Sequence, residues 1–344
     1  MKNEDLEFIW LAIVLVLLIV LVILTAGPIF NDVGGVPTSV TQIPNNVPVI
    51  NVKLIANQYY FKVYETGLIE SKVIKDNISL PYYNNIIIAK IGSWLNITMI
   101  SNDVTHNLYV PIFNTKVINV QILPQIKQYA SMPVPSIPGF YTFLGGEYSG
   151  PWYAYEVGGI LVLPQDGQYY SLNELSKYIQ TTQAAHNGQL NGDPYNPPIF
   201  VYNTTSPIIY LKGNEYGIFN NSIPGPTIVV NKNSDVRLKI FIPRPNNDYN
   251  YLYNYTNGEP NPITLRLGVY AVWWNGTITE VKEFSVNYDS EMEISFKAIA
   301  PAYIYGMIEP VYYVYNVANM SNLFNGIQKG YIMGLWGIIL VTGD

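Results

Sequence analysis

The feature that most limits the fold of this 344-residue chain is a succession of short runs, of alternating or continuous apolar character, punctuated by Gly, Pro, Asn or Asp. VPVINVKLIA, NIIIAKIG, LNITMIS, GILVLP, PTIVVN, DVRLKIFI, ITLRLGVYAVWW and MEISFKAIA are the clearest of them. Such runs suit strands with one or both faces buried, and their regular recurrence predicts sandwiches or barrels. Length adds that one core would be overextended, so two folded β units are expected. The main helical pattern among the strands is SLNELSKYIQTTQAAH, where Ser171 is placed to cap and Glu174 holds the third position of a capping box. With the NGQLNGDPYNPP that follows it, this pattern makes residues 166–198 a connection between a β domain at 47–165 and another at 199–344.

Ahead of the strands, Phe8 to Ala26 reads FIWLAIVLVLLIVLVILTA, uncharged and apolar throughout. At about 1.5 Å per residue such a helix nearly crosses a hydrocarbon core of roughly 30 Å, so residues 1–27 are expected to be a transmembrane anchor. A cleaved secretory signal would start basic and end in small residues, whereas this one starts KNEDLE and offers only LTAG. Lys2 and the amino terminus are the nearby positive charges, which favours an N-terminus on the cytoplasmic side. Residues 28–46, rich in Gly, Pro, Asn and Val, have the composition of a linker to an extracellular body. Seven N-x-S/T sequons follow, at Asn77, Asn96, Asn203, Asn220, Asn254, Asn275 and Asn319, and are candidate glycosylation sites if the body faces outward.

Composition removes several function classes. Charged residues make up 12% of the chain, the net charge is -6 and no basic run occurs, so there is no footprint for nucleic acid. The absence of Cys excludes disulfides, thiolate metal sites and cysteine nucleophiles, and two His in the whole chain make an imidazole metal site improbable. Tyr, at 30 residues, supplies much of the uncharged polar surface.

One stretch carries a resemblance. Asp103-Val104-Thr105-His106, then Val110-Pro111, Leu123-Pro124 and Pro138-Gly139-Phe140-Tyr141, lead into FLGGEYSGPWYAYEVGG from Phe143 to Gly159. This order resembles the cupredoxin domain of subunit II of haem-copper terminal oxidases, which has a D-V-x-H strand end, a V-P segment, a leucine-proline turn and a P-G-x-Y strand. In that family the next loop carries the ligands of the binuclear copper centre called CuA. On this register His106 matches the first histidine and Glu147 the backbone-carbonyl position. Gly145 and Ser149 stand where the two cysteines would be, while Tyr153 and Glu156 replace histidine and methionine.

Two bridging thiolates are what allow a copper pair to share an electron, and Gly and Ser cannot supply them. The resemblance is therefore to CuA scaffolding without CuA, and no metal or cofactor is expected in this chain. His106 reads as a surface or hydrogen-bonded histidine, and Glu147 and Glu156 as residues that solvate the loop. Trp152, Tyr153 and Tyr155 are then the expected contact surface toward a neighbouring subunit. Upstream, Gln58-Tyr59-Tyr60-Phe61 resembles the aromatic segment near the electron-entry point of copper-bearing members, although alternating aromatics in VKLIANQYYFKVYE equally suit a half-buried strand.

The second β domain resembles cupredoxins too. Ile223-Pro224-Gly225-Pro226-Thr227 resembles the P-G-P-T opening of multicopper-oxidase domains, and GYIMGLWGIILV their closing M-G-x-x-G strand. No Cys or His lies beyond Asn187, so a type 1 copper site is excluded there and Met333 reads as core.

The implied architecture is mainly β: an N-terminal transmembrane helix, then two cupredoxin-like Greek-key sandwiches. The implied role is a copper-free subunit II of a membrane-bound terminal oxidase that takes electrons from quinol. This chain would cap the outer face of the catalytic subunit I beside small membrane subunits, with haem and copper held in that partner. In size and style it resembles the larger accessory subunit (the DoxC-like type) of caldariellaquinol oxidases of thermoacidophilic archaea. Two other classes remain open: a structural envelope protein of a surface layer or filament, and a glycoside hydrolase using Glu147 and Glu156.

Overall fold

Buried residues alternate along the strands as the sequence pattern requires, and the sheets they form are set by register. In the computed structural model, residues 10–21, 43–66, 72–75, 78–81, 85–113, 116–150, 153, 156–177, 197–213, 219–220, 222–243, 253–256, 259–262, 265–307, 311–316, 327–332 and 335–343 are described. Residues 1–42 and 43–344 are separate compact units. In the first, residues 10–21 are helical and expose large apolar side chains including Trp10, Leu11, Leu15 and Leu21. No helix among the described residues is long and apolar enough to cross a membrane. The helix covers only the middle of the apolar run expected to span, whose two ends lie outside the described residues.

In the second unit, chain order gives β1 (Val49–Asn57), β2 (Tyr60–Thr66), β3 (Lys72–Lys75), β4 (Ile78–Pro81), β5 (Ile86–Lys90), β6 (Trp94–Ser101), β7 (His106–Phe113), β8 (Lys116–Ile122), β9 (Gln128–Pro133), β10 (Gly139–Leu144) and β11 (Val157–Leu163). They build a four-stranded sheet in the order β2-β1-β6-β9 and a five-stranded sheet in the order β5-β11-β10-β7-β8. In β1, Ile50, Val52, Leu54 and Ala56 point inward, and in β6 Leu95, Ile97 and Met99 do so, which is the period of two that a half-buried sheet needs. By contrast β10 and β11 are buried at every position. The cause is that both faces of their sheet are covered. Phe143 meets Phe61 of β2 with ring centroids 5.3 Å apart, whereas Phe140, on the opposite face, meets Trp336 at 5.9 Å. Gly158 and Gly159 on β11 leave room for these two rings, since a Cβ on either would stand 2.4 Å or less from a phenyl carbon.

The remaining strands are β12 (Ile199–Tyr202), β13 (Ile208–Lys212), β14 (Thr227–Asn231), β15 (Asp235–Phe241), β16 (Tyr253–Thr256), β17 (Glu259–Pro262), β18 (Leu265–Val272), β19 (Ile278–Val286), β20 (Glu291–Lys297), β21 (Ala302–Met307), β22 (Val311–Asn316), β23 (Ile327–Ile332) and β24 (Trp336–Thr342). Strands β12-β14-β24-β21-β18-β19-β3-β4 form one eight-stranded sheet, and β13-β15-β20 a three-stranded one. Their core includes Ile228, Val236, Leu238, Val269, Tyr305 and Ile339. The hairpin β3–β4 thus leaves its neighbours in sequence and completes a sheet built mostly of much later strands, through Val73 paired with Ile278 and Ile74 with Thr279. Tyr170 adds a second tie: its hydroxyl donates to the Val162 carbonyl at 3.0 Å, and its backbone pairs with Val341 and Gly343. It precedes a helix over residues 172–177, the part of the expected helix that is described. Met333 lies outside the described residues.

Candidate functional site

β6 ends at Ser101, and the turn into β7 is organised by Asp103. The Asp103 carboxylate accepts from the Val104 N–H at 2.7 Å, and the Asp103 N–H donates to the Ser101 hydroxyl oxygen at 3.2 Å. This is the local side-chain to backbone bonding that Asp and Ser favour at turns. The turn delivers His106 to the first position of β7 with its side chain fully buried.

The second contribution comes from the β10–β11 connection. The register that pairs Leu144 with Val157 continues one step, with the Gly145 N–H donating to the Glu156 carbonyl at 2.8 Å. The loop then folds back on itself, Glu156 N–H to Tyr153 carbonyl at 3.0 Å and Tyr153 N–H to Gly150 carbonyl at 3.2 Å. This geometry turns the Glu156 side chain inward, into the volume that a side chain on Gly145 would take.

His106 lies between two carboxylates. Its Nε2 is 2.6 Å from Asp103 Oδ1 and its Nδ1 is 2.6 Å from Glu156 Oε1. The second approach is an ion contact and lacks the alignment of a hydrogen bond, so Nδ1 and Oε1 have charge but no well-directed N–H···O partner. Glu156 Oε2 accepts from the Ser149 hydroxyl at 3.3 Å. On the far side, Asp103 Oδ2 accepts from the Gln58 N–H at 2.7 Å, and the Gln58 side-chain amide donates to the Ser149 carbonyl.

These contacts fix the charges. Burial opposes a charged His106, but the hydrogen bond with Asp103 and the carboxylate of Glu156 outweigh it and raise its pKa to about 9. Burial raises Glu156 to about 7, with His106 and Ser149 acting in the other direction. At Asp103 burial is again the largest influence and again upward, yet the hydrogen bonds from His106, Gln58 and Val104 together hold the carboxyl below its ordinary value. The result is a buried His106 ring that favours its charged form, between an ionised Asp103 and a Glu156 carboxyl that burial inclines to keep its proton.

One expectation changes here and another is narrowed. Glu156 does not solvate the loop, because its side chain is fully buried against His106. Of the two readings of His106, surface or hydrogen-bonded, the structure has the second: the ring is buried and hydrogen-bonded to Asp103 at 2.6 Å. Glu147 is part-exposed and accepts from the Gln121 amide at 2.7 Å, so Glu147 and Glu156 serve different partners. Tyr153, 37% exposed, packs edge-on to Tyr148 with centroids 5.4 Å apart, and Tyr148 is 70% exposed. Trp152 and Tyr155 lie outside the described residues. The sequence pattern did not assign Asp103 to the cluster, although its spacing of three from His106 was a usable signal, and for Gln58 it offered the resemblance of Gln58–Phe61 to the segment near the electron-entry point, without naming its partners.

The donor set does not fit a binuclear copper centre. The positions needed for bridging thiolates hold Gly145 and Ser149, and both nitrogens of His106 face carboxylate oxygens at 2.6 Å.

Of the sequons, Asn203 is exposed, and exposed Asn275 accepts from the Thr277 N–H at 3.0 Å. The amide of Asn96, on β6, donates to Asn51 at 2.9 Å, and that of Asn220 donates to the Tyr210 carbonyl at 3.2 Å while its oxygen accepts from the Lys212 N–H. Asn254 lies on β16, opposite Asn261. Asn77 and Asn319 lie outside the described residues.

No family model matches the sequence, and no curated protein matches it. Among solved structures, similarity is found to a chain of a haem-copper terminal oxidase dimer, at 20% identity and a TM-score of 0.27, over 47% of this chain and 99% of that one. The periplasmic domain of cytochrome oxidase subunit II from Bradyrhizobium japonicum is 13% identical with a TM-score of 0.28, over 39% of this chain and 94% of its own. A copper-containing nitrite reductase from Thermus scotoductus is 14% identical with a TM-score of 0.25, over 86% of this chain and 61% of its own.

Proposed function

We propose that the chain is a subunit II-like component of a membrane-bound haem-copper terminal oxidase that oxidises quinol, and that it carries no redox centre itself. One observation supports this reading above the others. His106, Gly145, Ser149 and Glu156, which the sequence resemblance aligns with copper-ligand positions, meet at one buried point, although His106 comes from β7 and the other three from the β10–β11 connection. A chance match of the D-V-x-H motif would have no reason to bring His106 to that loop.

In this reading the apolar run from Phe8 to Ala26 anchors the chain, with the N-terminus cytoplasmic and the β body outside. The all-round apolar, exposed character of helix 10–21 supports such a placement, since a helix of that kind needs lipid or protein on every side. Electrons would pass from quinol directly to haem in the catalytic subunit. The exposed Tyr148 and Tyr153 of the 145–156 loop, with Trp152 and Tyr155 beside them in sequence, would contact that subunit.

Purification from native membranes in mild detergent tests the proposal. The expected result is copurification with a haem-bearing subunit, quinol-driven oxygen reduction and no copper in this chain. A colourless, self-assembled oligomer would overturn it in favour of an envelope role.

A further inference from the structure

Gly145 and Glu156 face each other at the neck of the 145–156 loop. The three atoms nearest to a Cβ built on Gly145 all belong to Glu156: Oε2 at 2.4 Å, Cδ at 3.1 Å and Cβ at 3.3 Å. The backbone at Gly145 is not in the left-handed region, so the obstacle to a side chain there is the Glu156 carboxylate. That carboxylate cannot easily step aside, being held by His106 Nδ1 at 2.6 Å and the Ser149 hydroxyl at 3.3 Å. Through His106 it is joined to Asp103, and through Asp103 to the Gln58 backbone. One imidazole therefore links the β1–β2 turn, the start of β7 and the neck of the loop.

We propose that Asp103, His106 and Glu156 form a metal-independent cross-link that fixes the 145–156 loop, and that Gly145 is required by the carboxylate of Glu156. A metal ion would join such segments by coordination; here a buried histidine ring between two carboxyl groups does so, and both ring nitrogens that a metal would need face carboxyl oxygens at 2.6 Å. Among the described residues, Tyr59 from the β1–β2 turn is a further titratable group near the two carboxyls, and Tyr148 of the loop lies near Tyr59. Burial, with the nearby Tyr148 and carboxylates, pushes Tyr59 up to about 12, so it adds no competing charge at neutral pH. Removing one member of the cluster leaves a buried charge unpaired, which is more damaging than the intact cluster is stabilising. The proposal needs no partner subunit and stands or falls separately from the oxidase reading.

The test uses the full chain in detergent micelles. Gly145→Ala should lower the melting temperature by about 5 °C, and in a Glu156→Ala background the same change should cost less than a third as much. Equal costs in the two backgrounds would overturn the proposal. Glu156→Gln keeps the shape and removes the charge. Nitrogen-15 spectra of the wild type at pH 7 should show both ring nitrogens of His106 protonated, and this imidazolium fraction should fall in Glu156→Gln; a neutral wild-type ring would overturn the cross-link. EDTA should leave the wild-type melt unchanged, and added Cu(II) should separate from the protein on gel filtration. Copper retained at one equivalent through His106, or a melt lowered by EDTA, would refute metal independence even if Gly145→Ala fails to fold.

Discussion

At the scale of the residue, the charge state of His106 and Glu156 connects the fold to pH. Their facing atoms are 2.6 Å apart, so they titrate as a pair. Folded His106 holds its proton up to about 9 against an ordinary 6.5, and folded Glu156 up to about 7 against 4.5. The folded state therefore binds more protons than the unfolded chain across this window, and the pair's contribution to stability, full below it, is lost as pH rises through it. Asp103 acts in the opposite sense: held below its ordinary 3.8, it contributes above that value and loses the contribution as pH falls through its folded pKa. The wild-type melting temperature should accordingly fall from about pH 5 to about pH 9 more than that of Glu156→Gln, because each tenfold gain in proton affinity on folding is worth about 1.4 kcal/mol and the substitution removes part of that gain. Parallel curves for the two proteins would show that the pair does not carry the dependence.

At the scale of the element, ties between strands distant in sequence are the testable feature. Tyr170→Phe removes the hydroxyl that donates to Val162 and leaves that buried carbonyl one donor poorer, so a loss of about 1 kcal/mol is expected in urea unfolding. An unchanged midpoint would mean that the Tyr170 backbone pairing alone joins β11 to β24. The same elements mark how far a sequence pattern reaches. Strands β1, β5, β6, β11, β14, β15, β18 and β20 were legible because alternation or continuous apolarity reports burial directly. VKLIANQYYFKVYE read as one strand, yet it turns back at Gln58 and Tyr59, with Asn57 paired to Tyr60. The turn is held by Asp103 and Ser149, and no local pattern encodes partners so far along the chain. The buried state of Glu156 was hidden for a related reason: a glutamate among glycines and tyrosines looks solvated until the imidazole that compensates it is located. The D-V-x-H spacing and the loop length did place His106 and Glu156 in one region, which is the part of the site that motif order can carry.

At the scale of the whole molecule, residues 43–344 form one compact unit in which β3–β4, Tyr170 and the Phe140–Trp336 contact link the earlier and later sheets. Calorimetry is expected to show one cooperative transition for this body, and two well-separated transitions would contradict that coupling. The borrowed hairpin also has a consequence for how the chain is made. Ile74 pairs with Thr279, so a ribosome working at about 5–20 residues per second needs on the order of 10–40 s to supply the partner after the hairpin has emerged. Until then β3 and β4 present unpaired backbone to whatever surrounds the nascent chain. Lys72, Lys75 and Pro81 at their ends are residue types that discourage edge-to-edge sticking. The hairpin is thus an early-made piece whose sequence must tolerate waiting, and the order of synthesis becomes a constraint written into four-residue strands.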